Sequence, residues 1–111
     1  MKIIIIGAGA TGSIAAKLLS ARPEIEQVII CDIDANKAKK FINPDPKTVF
    51  RVLDARDSKA VVEAAKGMDL LINACLPSFN EILMKAALEA KVNYQDFASN
   101  WDDGKVEQLK Y

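Results

Sequence analysis

The chain contains no histidine. That removes the commonest metal ligand and the side chain that most often carries general acid–base work near neutral pH. It has only two cysteines, Cys31 and Cys75, far apart and without metal-ligand spacing. A zinc site of the usual kinds therefore has no ligand set, and no metal is expected. Each cysteine closes an apolar run and reads as a buried, reduced thiol, so nothing calls for an oxidising compartment. An excess of charge is missing too: 15 Lys and Arg balance 15 Asp and Glu, for a formal net charge of +0. The basic surface that a nucleic acid or an anionic membrane demands is thus lacking, and neither is expected as a partner. There is no long hydrophobic run. The N-terminal one, residues 3–6, is too short for a signal peptide and far short of the ~20 residues of a membrane span. The expected location is cytoplasmic. With 111 residues, half of them apolar at 50%, the chain should form one domain with a single buried core.

What is present is concentrated at the N-terminus. The run Ile-Ile-Ile-Ile at 3–6 leads into Gly7-Ala8-Gly9-Ala10-Thr11-Gly12, and a helical pattern follows at once. A glycine fingerprint between a strand and a helix is a dinucleotide-binding signal, and each glycine has a mechanical task. Gly7 permits the tight turn out of the strand. Gly9, lacking Cβ, lets a pyrophosphate approach the backbone. Gly12 lets the helix pack closely on the sheet. The free N–H groups of the helix start, over Ala10 and Thr11, then face the phosphates.

The second part of the fingerprint is an acid closing the second strand. Asp32 lies 20 residues past Gly12, where a carboxylate accepts hydrogen bonds from the adenosine ribose and repels a 2′-phosphate. The next residues are Ile33 and Asp34, so no cation is adjacent, and Lys37 and Lys39 are expected to point along the following helix. This favours NAD over NADP. Asp34 reads as a helix cap rather than a ligand. Further along, Asp54 and the backbone at Ala55 close a third strand where an adenine edge would sit, and Arg56 reads as a surface charge. Asn73-Ala74-Cys75-Leu76-Pro77 closes a fourth strand beside the first. Small residues there, Ala74 and Cys75 with Leu76, leave room for the cofactor at the topological switch point. With no histidine to activate it, Cys75 is not expected to be a nucleophile, and no catalytic residue is assigned.

Strand and helix patterns alternate along the chain. Strands are expected at residues 2–6, 27–31, 48–53, 69–74 and 92–97. Helices are expected at 10–21 (with Ile14, Ala15, Leu18 and Leu19 facing inward), 34–42, 57–66 ending at Gly67, 77–90 and 102–110. Near-continuous apolar strands between amphipathic helices mean a parallel sheet covered on both faces. The expected fold class is α/β, a Rossmann-type doubly wound parallel sheet of order 3-2-1-4-5 with the sixth strand missing. An unpaired edge at that place leaves a homo-oligomer open.

The second half resembles a particular group. Gly67-Met68-Asp69-Leu70-Leu71-Ile72-Asn73-Ala74, then Leu76-Pro77-Ser78-Phe79-Asn80, then Ala86-Ala87-Leu88-Glu89-Ala90-Lys91-Val92-Asn93-Tyr94-Gln95-Asp96 is similar to the cofactor domain of the saccharopine dehydrogenase family. The opening glycine segment and Leu53-Asp54-Ala55-Arg56-Asp57 fit as well. The resemblance covers essentially the whole chain. It implies an NAD(P)-dependent oxidoreductase of two domains, in which hydride passes between the nicotinamide and a carbon–nitrogen centre of an amino-acid-derived substrate. By it, residues 1–111 are the dinucleotide domain of a longer enzyme; they bind cofactor without turning over substrate, which a missing domain would hold. By the same resemblance Tyr94, Asp96 and Ser99 lie near the nicotinamide end. Many relatives carry an arginine just after the acid of strand two; Ile33 stands there here, which counts against NADP. The rival reading is a regulatory NAD(H)-sensing domain of the kind attached to potassium channels and transporters, complete without chemistry. A scaffold that has lost its ligand is disfavoured by the intact glycines and Asp32.

Overall fold

Isoleucines at every position from 3 to 6 leave a strand no polar face, so both of its faces must be covered. The computed structural model, which describes residues 1–41, 45–98 and the short strands at 101–102 and 105–106, shows how. Strand β1 (Lys2–Ile6) is central in a five-stranded sheet with β2 (Gln27–Asp32), β3 (Thr48–Val52), β4 (Leu70–Asn73) and β5 (Asn93–Asp96), in the order β3-β2-β1-β4-β5. All neighbours are parallel: Ile4 sits opposite Ile29 on one side and Leu71 on the other.

Alternation along β1 divides the core in two. Ile4 and Ile6 join Ile29, Cys31 and Leu71 in packing against helices α3 (Ser58–Ala65) and α4 (Asn80–Ala90), through Val61, Val62, Leu83 and Ala86. Ile3 and Ile5 join Val28, Ile30 and Ile72 on the opposite face, beneath Ala16 of α1 (Ala10–Ser20). The period-two geometry of a strand is what sends neighbouring isoleucines to different cores. Helix α2 (Asn36–Phe41) follows β2, and a 3₁₀ turn at Pro77–Phe79 leads into α4.

Two expectations are corrected. Helix α1 does not bury Ile14 and Leu18, which are 58% and 64% exposed; its inward face is Gly12, Ser13, Ala16 and Ser20. The helix lies too close to the loop after β1 for large side chains: a Cβ on Gly12 would overlap the Gly7 carbonyl oxygen. Ser13 and Ser20 fit because their hydroxyls donate to the carbonyls of Ala8 and Ala16. Where a last helix from Asp102 was expected, residues 101–102 and 105–106 form an antiparallel pair, β6 and β7. The remaining helices fall where expected: Asp57 caps α3 by accepting from Ala60 N–H at 3.2 Å, and Gly67, at φ +81°, carries the turn that ends it. Among the described residues no helix is long and apolar enough to cross a membrane, and no group of three or more His, Cys, Asp or Glu is placed to hold a metal ion.

Candidate functional site

The carboxyl ends of β1, β2, β3 and β4 open on one cleft of about 460 Å³. The sheet order reverses at β1, with β2 and β4 leaving it on opposite sides, and this is where open α/β sheets bind ligands. Of the residues the sequence singles out, Gly7, Gly9, Asp32, Ile33, Asp54, Ala55, Ala74, Cys75 and Leu76 line the cleft. Ala10 and Thr11 stand exposed on the first turn of α1 at its edge, and Gly12 is buried behind it.

The three loop glycines differ in what requires them. Gly7 has φ +113°, and a Cβ there would lie 2.9 Å from both the Ala74 carbonyl carbon and oxygen. Gly12 is required by the contact with Gly7 described above. Among the described residues nothing requires Gly9: its φ of −73° and ψ of −166° suit any residue, and a Cβ would meet none of them within 4 Å. Its bare backbone faces open space at the N-cap of α1. That helix start has no side-chain cap, and the Gly9 carbonyl accepts from Ser13 N–H at 3.0 Å. The N–H groups of the first turn are therefore left to an outside acceptor, with the positive end of the helix dipole behind them. A cradle shaped for an anion, which one methyl group would fill, fits a pyrophosphate.

Asp32 is 8% exposed at the end of β2. Its Oδ2 accepts from Ala8 N–H at 2.8 Å and its Oδ1 from Asp34 N–H at 2.9 Å, so it ties the glycine loop to β2. Burial works to raise its pKa; the two backbone hydrogen bonds and the nearby Lys37 ammonium outweigh it, and the carboxyl sits below its ordinary value. An ionised carboxylate offers about four acceptor positions, so a ribose hydroxyl can still be received. Asp34 accepts from Asn36 N–H at 2.9 Å, in keeping with a capping role ahead of α2.

Lys37 departs from the expectation that it points along its helix. Its ammonium lies 3.5 Å from Asp32 Oδ2, and it lines the cleft. Arg56 also lines the cleft and is the surface charge expected, with its side chain 69% exposed. Its Nε and Nη2 donate to the two carboxylate oxygens of Asp54, each at 3.0 Å, which lowers the carboxyl's pKa and raises the guanidinium's. Asp54 Oδ1 accepts from Arg56 N–H as well, so much of its acceptor capacity is spent on its own turn. Ile6, Cys31, Leu53 and Phe79 complete the wall without having been singled out in the sequence. Their apolar or buried character looked like core, and only the strand ends of a closed sheet bring them to one surface.

Cys31 is buried and Cys75 half-buried, and both are free thiols. Burial pushes Cys31 up to about 12 and raises Cys75 above its ordinary value, helped by the Asp32 charge. Cys75 Sγ donates to the Ile6 carbonyl at 3.3 Å. Burial therefore favours the protonated thiol at both positions.

A buried polar network behind the cleft escaped the sequence reading. Asn73 Nδ2 donates to Asn80 Oδ1 at 2.7 Å, and Tyr94 Oη donates to the same oxygen at 3.0 Å. Asn80 Nδ2 donates to the Ala98 carbonyl, and Asn73 Oδ1 accepts from Cys75 N–H at 2.8 Å. The amides are 1% and 0% exposed, and among the described residues they are satisfied by one another, by the Tyr94 hydroxyl and by backbone. Through Asn73 and Asn80 they link the Cys75 backbone in the cleft wall to Tyr94 of β5. Burial pushes the Tyr94 phenol well above its ordinary pKa, so it acts as a hydrogen-bond donor. Asp96 is half-exposed at the end of β5, and Ser99 lies outside the described residues. A weak signal existed: Asn73 and Asn80 flank Pro77 at the end of an apolar strand.

Comparison with known proteins agrees with this geometry. The family model described as the saccharopine dehydrogenase NADP binding domain matches residues 3–111. A carboxyaminopropylagmatine dehydrogenase from Synechocystis sp. is 32% identical over 99% of this chain, which spans 28% of that protein's length. Among solved structures, apo saccharopine dehydrogenase (L-Glu forming) from Saccharomyces cerevisiae superposes with TM-score 0.78 at 18% identity, over 93% of this chain and 22% of that one. The Bordetella bronchiseptica enzyme WbmH in complex with NAD+ superposes with TM-score 0.69 at 20% identity, over 85% of this chain and 37% of that one. At those identities the two structures speak for the fold alone.

Proposed function

Because the chain belongs to the saccharopine dehydrogenase family, whose NADP-binding-domain model it matches from residue 3 to 111, we propose that it is the dinucleotide-holding domain of an oxidoreductase acting at a carbon–nitrogen centre of an amino-acid-derived substrate. The observation that carries the binding reading is Gly9, a glycine that the fold does not need and a pyrophosphate does. Gly9 and the uncapped start of α1 would hold the cofactor's phosphates, Asp32 its adenosine ribose, and the 53–56 turn with Ile33 its adenine; Gly9, Asp32, Ile33 and the turn line one cleft. The nicotinamide half would be held by Ala74, Cys75 and Leu76, which line the same cleft. When bound, the cofactor supplies a hydride donor or acceptor. The chain's own residues bind, orient and exclude water; none is assigned as an acid or base, and the substrate is held by a further domain.

Between the two dinucleotides, the reading is a preference for NAD(H). Asp32 is ionised and pinned by two backbone N–H groups, so it cannot turn from a 2′-phosphate, and exposed Ile33 offers that phosphate no donor. The regulatory potassium-transport alternative finds no counterpart among the relatives described above. Calorimetric titration with NADH, NADPH and ADP-ribose tests the reading. Saturable binding of NADH and ADP-ribose, lost in Gly9→Val with folding intact, is expected. Failure of all three to bind would overturn it.

A further inference from the structure

One charged side chain of the cleft has no task in this reading. Lys37 holds its ammonium 3.5 Å from Asp32 Oδ2 with its side chain 44% exposed. The groups around it are less free. Asp32 is fixed on both oxygens by the Ala8 and Asp34 N–H groups. Arg56, the other cation lining the cleft, is engaged through two nitrogens on both oxygens of Asp54. Lys37 is held by one longer contact at the end of four rotatable methylenes, so it is the cation that can turn to a new partner at little cost.

We propose that Lys37 is a specificity-determining residue, which lets a site built around a ribose-binding carboxylate also accept a 2′-phosphorylated dinucleotide. The proposal rests on the reading that places the adenosine ribose at Asp32. With NAD(H) bound, the ribose hydroxyls donate to Asp32 and Lys37 stays on the carboxylate. With NADP(H) bound, a phosphate monoester of charge about −1.5 to −2 comes up against a carboxylate that cannot move. Lys37 then acts twice: beside Asp32 it offsets the negative potential, and turned outward it gives the phosphate a charge-assisted hydrogen bond. It thereby narrows the discrimination that Asp32 and Ile33 impose. A lysine suits this task better than an arginine locked in a bidentate pair, because a point charge on a flexible stem can serve either partner.

The test is calorimetric titration of the wild-type chain, Lys37→Met and Lys37→Arg with NADH, NADPH and ADP-ribose, at low and moderate salt. Methionine keeps most of the length and the helix propensity. Lys37→Met is expected to shift the NADPH-to-NADH affinity ratio against NADPH by about tenfold, as loss of a charge-assisted hydrogen bond implies. Lys37→Arg should retain most of the wild-type ratio. Salt should weaken NADPH more than NADH in the wild type, and this difference should shrink in Lys37→Met. An unchanged ratio in Lys37→Met, or equal losses for both dinucleotides, overturns the proposal while leaving the binding reading intact. A wild-type chain that binds neither NADH nor ADP-ribose overturns the reading and the proposal together.

Discussion

Alanine at each of the three loop glycines should separate folding from ligand binding. At Gly9 the backbone angles suit alanine and no atom of the described residues lies within 4 Å of the new Cβ. The folded state loses nothing, and the unfolded chain loses conformational freedom, so Gly9→Ala should stabilise the domain by about 0.4–1 kcal/mol. For a domain of this size that is a rise in Tm of roughly 2–6 °C. Gly7→Ala combines a φ of +113° with contacts of 2.9 Å to the backbone of Ala74, so it should cost about 2–3 kcal/mol. Gly12→Ala must push α1 away from the Gly7 carbonyl; backbone on backbone cannot give locally, so the loss should be about 4 kcal/mol or more, a large part of the ~5–15 kcal/mol that holds a domain together. Urea titration of the three variants gives the stabilities, and calorimetry with NADH gives the affinities. Gly9→Ala should be the variant that folds best and binds worst, with affinity reduced by about tenfold or more as the methyl group lifts the pyrophosphate from the helix start. A Gly9→Ala protein that binds NADH as the wild type does, or that is destabilised by more than 1 kcal/mol, would refute the assignment of this glycine to the ligand.

Other consequences follow from the charges and polar contacts. Asp32 has a folded-state pKa below its ordinary 3.8. The unfolded state therefore takes up its proton first: the stabilisation from this residue is full above about pH 4 and is lost as pH falls through the depressed value. Asp32→Asn should flatten that acid limb in urea titrations from pH 6 to pH 2. Cys31, raised to about 12, runs the other way: stability is full below the ordinary thiol value of 9.0 and falls as pH rises towards 12, a loss that Cys31→Ala should lessen. At pH 8, iodoacetamide followed by mass spectrometry should label half-buried Cys75 ahead of buried Cys31, and NADH should protect Cys75. Asn80→Leu strands the Asn73 amide, the Tyr94 hydroxyl and the Ala98 carbonyl and should cost about 3 kcal/mol by urea denaturation. Tyr94→Phe, which removes one donor of that set, should cost about 1 kcal/mol.

The glycine loop was legible because its residues are neighbours in sequence, and the fold requires glycine at two of them, Gly7 and Gly12. Asp32 was legible because one strand and one helix of ordinary length fix its distance from Gly12. The strand order followed from apolar runs that allow no solvent-facing side, and the structure reproduces it as β3-β2-β1-β4-β5. Helix α1 shows where periodicity misleads: Ile14 and Leu18 mark an apolar stripe, yet the helix packs through Gly12, Ser13, Ala16 and Ser20. The closeness of α1 to the loop after β1 decides this, and hydropathy does not register closeness. Lys37 was misplaced for a similar reason. Its direction depends on how α2 sets off from Asp34, and its partner Asp32 is not a helical neighbour but a strand end.

Sequence alone determined that this chain folds as a parallel α/β sheet and that a glycine loop joins its first strand to its first helix, because both follow from local rules of spacing, apolarity and backbone freedom. Tertiary structure decided which of those glycines the fold itself needs. It also decided which side chains share the cleft with Asp32, and that Asn73, Asn80 and Tyr94 satisfy one another behind it. These are relations between strand ends and helix starts far apart in the chain, and they exist only once hydrogen-bonded register across the sheet has brought those ends together.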